Sequence, residues 1–143
     1  MILWLTLLLS IGAPYQKEAQ KKEMATVIVY HQRGYSSTRF DLWLDNIPLA
    51  KPLRRNSSVT FQVPAGEISL LTKVRVKSPF LRNNHYLINV EAGNTYYLKA
   101  DLEYVFPATR LSLEVSNSQE YAKVEARLEK IVISTGRSSK EHD

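Results

Sequence analysis

The chain has 143 residues, of which 44% are hydrophobic and 23% charged, and it contains no cysteine. This length suits one globular domain with a sizeable core, and the lack of thiols excludes disulfides, thiolate metal sites, a cysteine nucleophile and a lipid anchor on an N-terminal cysteine. The net charge of +5 favours acidic partners in general, although a modest excess spread over a surface usually serves solubility alone.

The N-terminal segment is apolar from Ile2 to Ala13, ILWLTLLLSIGA. It is too short to span a bilayer as a helix, which needs about 20 residues. It fits the apolar core of a secretory signal peptide that ends in small residues. We predict a signal peptide over residues 1–13, a polar spacer over 14–23, and export to the periplasm or the cell exterior. Two alternatives stay open: an uncleaved segment that tethers the protein to a membrane, and an apolar first strand.

From Ala25 onward, apolar residues fall on alternate positions in seven runs, each of which ends in a turn signal. A period of two predicts a strand with one buried and one solvated face. The runs cover residues 25–31, 39–45, 57–63, 67–77, 85–91, 95–105 and 109–115. The first run is apolar on both faces, which predicts a central strand or one covered on both sides.

The turn signals and the alternation together predict details of these strands. Asp45-Asn46 predicts a tight turn, and Ala92-Gly93-Asn94 predicts a hairpin-like turn. Tyr104 and Val115 continue the inward-facing rows of their strands. The residues that we expect to be buried in the core are Phe40, Leu42, Phe61, Ile88, Leu98 and Leu113.

After residue 115 the period changes to three or four, which is typical of an amphipathic helix. Tyr121, Val124, Leu128 and Ile131 form the apolar stripe, and Asn117 followed by Glu120 resembles a capping box. We predict a helix over 118–131 that packs on outward-facing apolar residues of the strands, namely Trp43, Leu71, Leu87 and Tyr97, and a polar tail over 134–143.

The predicted fold is therefore all-β: an antiparallel β-sandwich of the immunoglobulin or transthyretin type over residues 24–133, with one C-terminal amphipathic helix.

No pattern in the sequence predicts catalysis, a cofactor or a metal site. His31, His85 and His142 stand alone, and no serine-hydrolase, metalloprotease or phosphate-loop motif occurs. Asp41 and Asp45 lie roughly 13 Å apart along one strand. That separation exceeds the 5 to 9.5 Å or so of paired glycosidase carboxylates. Lys99, Asp101 and Glu103 share a strand face, where ion pairing across strands is the simplest interpretation.

Two surface features could bind a ligand. Lys73, Arg75 and Lys77 form a cationic row, for which a solvated strand face is the simpler interpretation. Trp43 and Tyr97 could form a platform for a sugar or a peptide, although a tryptophan beneath the terminal helix is the simpler interpretation. Nucleic acid is excluded as a partner by the expected export and by the lack of aromatics interleaved with the cations.

Four segments resemble a bacterial exported family, the domain of unknown function twenty-eight forty-six. They are ATVIVYHQRG, FDLWLDNIPLA, VPAGEISL and VEAGNTYYLKAD, in this order within about residues 25–115. The resemblance implies an exported domain with this fold and no agreed activity. Many members are similar to lipoproteins, whereas this chain lacks the anchor cysteine.

The function that follows is an exported, non-catalytic domain that binds or supports an envelope protein or glycan, without a cofactor and without spanning the membrane after signal cleavage. The alternative is a carbohydrate- or peptide-binding module that uses surface aromatics.

Overall fold

The computed structural model describes residues 23–32, 39–49, 52–74 and 79–133. These residues form an all-β sandwich with one short C-terminal helix, which confirms the predicted fold class. The strands are β1 (Met24–His31), β2 (Phe40–Leu44), β3 (Ile47–Pro48), β4 (Ser57–Pro64), β5 (Gly66–Val74), β6 (Leu81–Arg82), β7 (Asn84–Val90), β8 (Thr95–Val105), β9 (Ala108–Ser116) and β10 (Glu129–Ile133). Helix α1 (Ser118–Val124) and a 3-10 turn (Glu125–Arg127) lie between β9 and β10.

The predicted signal peptide over 1–13, the spacer up to residue 22 and the tail over 134–143 lie outside the described residues. Within the described ranges, no helix has the length and apolar character needed to cross a membrane.

Two sheets pack against a shared apolar core. The larger sheet has the order β10-β4-β1-β8-β9-β6, and the smaller has the order β3-β2-β5-β7. β1 pairs antiparallel with β4 and parallel with β8, so Val29 lies between Val59 and Leu98. This position confirms the prediction that the first strand, apolar on both faces, is central.

The core forms where the two inner faces meet. Five of the six predicted core residues are fully buried, namely Phe40, Leu42, Phe61, Leu98 and Leu113. Ile88 packs on the core but is only partly buried, because β7 is an edge strand of the smaller sheet. Thr72 adds a polar link between the sheets, since its hydroxyl donates to the Leu111 carbonyl at 3.0 Å.

The two predicted turns have different outcomes. Asp45 and Asn46 adopt φ of 46° and 65° and join β2 to β3 as a hairpin, as predicted. The turn at 92–94 is not a hairpin. Its flanking strands β7 and β8 belong to different sheets, so it carries the chain from one sheet to the other, with Gly93 at φ 80°. Positive φ explains the glycine there but does not specify which strands pair.

The C-terminal helix is half as long as predicted. Asn117 is its N-cap and its side chain accepts from the Glu120 amide at 2.9 Å, which confirms the predicted start. The helix ends at Val124 rather than at Ile131. Ile131 instead lies in β10, where it pairs with Val59 of β4 and packs on the main core. A branched residue next to an open sheet edge gains more from strand pairing than from a further helical turn.

Helix α1 covers the outer face of the larger sheet. Tyr121 and Leu128 are buried with Tyr30 in a second apolar cluster, and Ile28, Tyr97 and Val124 pack against it. The predicted contact of the helix with Trp43, Leu71 and Leu87 is wrong, because those residues lie on the outer face of the smaller sheet. Of the four predicted partners, the helix covers only Tyr97.

Two residues predicted to face inward are exposed. Val115 is 64% exposed because β6 is only two residues long, so β9 is the edge of the sheet at that level. Tyr104 is 67% exposed because it lies beyond the Leu102–Leu111 pair, the last inward-facing pair that the core covers. The strand alternation continues past the core and leaves these apolar side chains uncovered.

Candidate functional site

The structure separates the residues that the sequence groups as ligand contacts. Trp43 and Lys73 are neighbours on the outer face of the smaller sheet, with the Lys73 ammonium 4.7 Å from the centre of the indole ring. Tyr97 lies on the outer face of the larger sheet, so Trp43 and Tyr97 cannot contact one ligand as a single platform. Arg75 and Lys77 lie outside the described residues.

Trp43 does not present an open ring face. It is half-buried between Leu71 of β5 and Pro48 of β3, and Lys73 lies over the ring. Its Nε1 is buried and has no hydrogen-bond partner within the described part of the chain. A sugar platform needs an accessible ring and a donor that can reach the ligand. Trp43 therefore contributes to the packing of the smaller sheet.

Tyr97 is covered as well. Its ring lies 5.2 Å from the ring of Tyr121, and Tyr121 in turn meets Tyr30 at 5.3 Å. The Tyr30 hydroxyl hydrogen-bonds to Ser116 Oγ at 2.6 Å. The three tyrosines hold the helix on the sheet, so this cluster is structural.

A polar cavity of about 600 Å³ lies beside that cluster, at the end of the larger sheet where β1 ends and β4 begins. β8 supplies the floor, and the helix, the 3-10 turn and Leu128, which directly precedes β10, supply the opposite wall. The lining side chains are those of Gln32, Asn56, Lys99, Asp101, Val124, Arg127 and Leu128.

The floor of the cavity carries an ion pair. Lys99 and Asp101 lie two residues apart on the outer face of β8, with Nζ 3.3 Å from Oδ2. The Asp101 carboxylate raises the pKa of Lys99 above its ordinary value of 10.5, and partial burial opposes the shift. The predicted ion pairing across strands is found for Glu103, which pairs with Arg110 of β9 at 3.0 Å, whereas Lys99 and Asp101 pair along one strand.

Arg127 gives the cavity a cation that is not neutralised. It is exposed at the end of the 3-10 turn and makes no ion pair with any residue that the structure describes. With Lys99 already paired to Asp101, the charges of the described residues that line the cavity sum to about +1. An arginine fork binds a carboxylate through two parallel hydrogen bonds, and the amides of Gln32 and Asn56 can each donate and accept beside it.

The sequence contains only indirect signals for this cavity. Gln32 directly follows β1 and Asn56 directly precedes β4, so in the sequence both are ordinary loop residues. The pairing of His31 with Ser57 brings these two strand ends together in the fold. Asn56 holds φ of 56°, and its carbonyl accepts from the Glu129 amide at 2.9 Å, which places β10 beside it. Arg127 is predicted on the helix, where a cation suits the helix dipole.

The two histidines within the described residues have structural partners. His31 is buried, and its Nδ1 donates to the Ala100 carbonyl at 2.7 Å. His85 lies on the outer face of the smaller sheet, where Nε2 hydrogen-bonds to Ser69 Oγ. Among the described residues, no three histidines or carboxylates cluster as metal ligands would.

The Ser69–His85 pair is not assembled as a catalytic triad. The nearby carboxylate, Asp45, accepts from the Ser69 backbone amide at 2.8 Å rather than from the histidine ring. A nucleophile of this kind needs a base that is itself oriented by a third group. Within the described ranges the pair is a polar contact between neighbouring strands.

Comparisons with known proteins add no relative. No protein-family model, no curated protein and no solved structure matches the chain. The family resemblance drawn from the turn motifs stays a prediction.

Proposed function

We propose that the protein is an exported, non-catalytic β-sandwich domain that binds a carboxylate-bearing component of the cell envelope in the cavity beside helix α1. The single observation that carries this proposal is the Arg127 guanidinium, which has no ion-pair partner among the described residues, at a polar cavity where Lys99 and Asp101 already neutralise each other. An acidic saccharide and a peptide C-terminus both carry the required carboxylate next to hydrogen-bonding groups.

The lining favours binding over chemistry. A cavity of about 600 Å³ lies within the size range of ligand sites, roughly 300 to 1,000 Å³. Among the described residues its polar groups are amides, one ion pair and the Arg127 guanidinium, and none of these is paired as a nucleophile with a base. Binding through the surface aromatics is not proposed, since Trp43 and Tyr97 lie on opposite outer faces.

A titration followed by amide NMR shifts tests the site. We expect saturable shifts around Gln32, Asn56 and Arg127 with an oligogalacturonate or with a short peptide that has a free C-terminus. The neutral oligosaccharide and the amidated peptide are the controls and should bind more weakly. Of the two acidic probes, the one with the higher affinity identifies the ligand class. Trp43 emission is a poor reporter, because Trp43 lies on the far side of the sandwich.

The matched variants are Arg127→Gln and Arg82→Gln, which both remove one exposed arginine. Arg127→Gln should weaken binding by about tenfold or more, because a hydrogen bond to a charged group contributes about 1.5 to 3 kcal/mol. Arg82→Gln, on β6 away from the cavity, should bind as the parent does. Equal losses in the two variants, or no saturable binding of either acidic probe, would contradict the proposal.

Export is a separate part of the proposal, supported by the apolar run over residues 2–13. N-terminal sequencing of the protein from its native host should find a start near Ala13 or Pro14. Soluble cytoplasmic protein with an intact Met1 would contradict export and leave the cavity proposal untouched.

A further inference from the structure

The tip of the β8–β9 hairpin is an exposed apolar surface formed by Tyr104, Val105 and Phe106, with Phe80 beside it. Their side chains are 67%, 45%, 83% and 65% exposed, in that order. These four make up half of the eight large apolar residues that are exposed in the described part of the chain. We refer to them as the aromatic tip.

The aromatic tip is built by the fold. β8 and β9 continue beyond the row of Leu102 and Leu111, through the pairs Tyr104–Thr109 and Val105–Ala108. The rings of Tyr104 and Phe106 meet edge to face at 6.4 Å. The Thr109 amide donates to the Phe80 carbonyl at 2.6 Å, which holds Phe80 next to the hairpin. Backbone pairing and the Tyr104–Phe106 ring contact thus fix this end of the hairpin, which extends past the last pair of β8 with β1.

Charged residues follow directly behind the tip. Glu103 and Arg110 form an ion pair one residue before Tyr104, and Arg82 of β6 lies beside Arg110 in the sheet. Arg82 is exposed, and the group has a net charge of about +1. From the tip of the hairpin inward, an aromatic group is therefore followed by a cationic group.

We propose that the aromatic tip inserts into the headgroup region of an anionic lipid bilayer. Aromatic side chains concentrate at bilayer interfaces, where the ring packs at the boundary between the headgroups and the acyl chains. An arginine just above the surface is attracted to anionic headgroups by about 1 kcal/mol. The net charge of +5 adds a longer-range attraction between the protein and an anionic bilayer.

A second copy of the chain fits this surface less well. With each large aromatic presenting at most about 200 Å², the exposed area of the aromatic tip is on the order of 500 Å². A stable protein interface buries about 800 Å² on each partner. A bilayer also requires no surface of complementary shape.

A site-specific probe separates insertion of the tip from binding by the apolar N-terminal segment. The chain has no cysteine, so the variants Phe106→Cys and Val132→Cys each accept one environment-sensitive label at a single position. Val132 is the matched control, because it is 79% exposed and lies on β10 at the opposite edge of the larger sheet.

On addition of phosphatidylglycerol-containing vesicles, we expect the label on the Phe106→Cys variant to shift to the blue and to be quenched by brominated lipid. The label on the Val132→Cys variant should do neither. Adding Phe80→Ser and Tyr104→Ser to the Phe106→Cys variant should weaken the response about tenfold or more, since each ring removes over 1 kcal/mol of apolar transfer free energy. Circular dichroism checks that the strands remain folded.

Three results would overturn the proposal. The first is an unchanged label on the Phe106→Cys variant, and the second is an equal response at both positions. The third is a blue shift that depends on protein concentration without vesicles, which would assign the aromatic tip to self-association. Pure phosphatidylcholine vesicles should give a weaker response of the label. A response equal to that with phosphatidylglycerol would overturn the proposed preference for an anionic bilayer.

Discussion

The ring of Tyr121 meets the ring of Tyr30 edge to face, with 5.3 Å between their centres, and this contact joins the C-terminal helix to the central strand of the larger sheet. Tyr121 also reaches Tyr97 at 5.2 Å and is buried. A seven-residue helix is too short to be stable alone in water, so its position depends on this tyrosine.

Tyr121→Ala should lower the free energy of unfolding by about 3 kcal/mol, because it removes a buried aromatic ring and leaves a cavity. Lys123→Ala on the exposed side of the same helix should change it by less than about 0.5 kcal/mol. Urea denaturation measures both. Trp43 emission from folded Tyr121→Ala should match that of the parent, because the helix does not cover Trp43; a red shift would contradict the observed docking.

Phe61 and Phe106 make a matched pair at opposite extremes of burial. Phe61→Ala should cost about 3 to 5 kcal/mol, the range for a core phenylalanine. Phe106→Ala should change stability by no more than about 0.5 kcal/mol, since an exposed side chain loses little packing. Chemical denaturation of the two variants tests the assignment. A large loss in Phe106→Ala would mean that the Phe106 ring is packed rather than exposed.

Asn117 tests the helix start. Asn117→Ala removes the acceptor for the Glu120 amide and should cost about 1 kcal/mol. Asn117→Asp keeps an acceptor in the same position and should cost much less. A thermal or urea unfolding series distinguishes the two variants, and equal losses would show that the cap is not what stabilises this end of the helix.

Lys99 gives the ion pair in the cavity a defined pH window. Its folded pKa is raised above 10.5, mainly by Asp101, so the folded state holds this proton more tightly than the unfolded chain does. The stabilisation is fully present below pH 10.5 and is lost as pH rises through the raised value. We expect about 0.5 kcal/mol or less, because both side chains are partly solvated and solvent screens the pair.

The measurement is the difference in unfolding free energy between the parent and Lys99→Gln, taken from denaturant titrations at several pH values. The difference should be constant from about pH 7 to 10 and should shrink above 10.5. Lys123→Gln is the control, since Lys123 makes no ion pair with a described residue. A difference that grows above pH 10.5 would mean that folding lowers the pKa of Lys99 instead of raising it.

The sequence by itself determined seven of the ten strands in the described residues and most of the side chains that those seven bury. Alternation of apolar and polar residues has the same period as the pleat, so Phe40, Leu42 and Phe61 follow directly from it. The two apolar faces of residues 25–31 likewise predicted a central strand. The Asn117–Glu120 spacing predicted the start of the helix, because capping is a local interaction.

Only the tertiary structure decided which strands became neighbours. The turn at 92–94 has the residues of a hairpin, yet it joins two sheets, since pairing depends on contacts between segments far apart in sequence. Ile131 fits a helical stripe, yet the open edge of β4 draws it into β10. The same cause separates Trp43 from Tyr97 and brings Gln32, Asn56 and Arg127 together. Local sequence patterns determine which face of a strand a side chain lies on. Packing between distant segments determines which residues lie opposite that face.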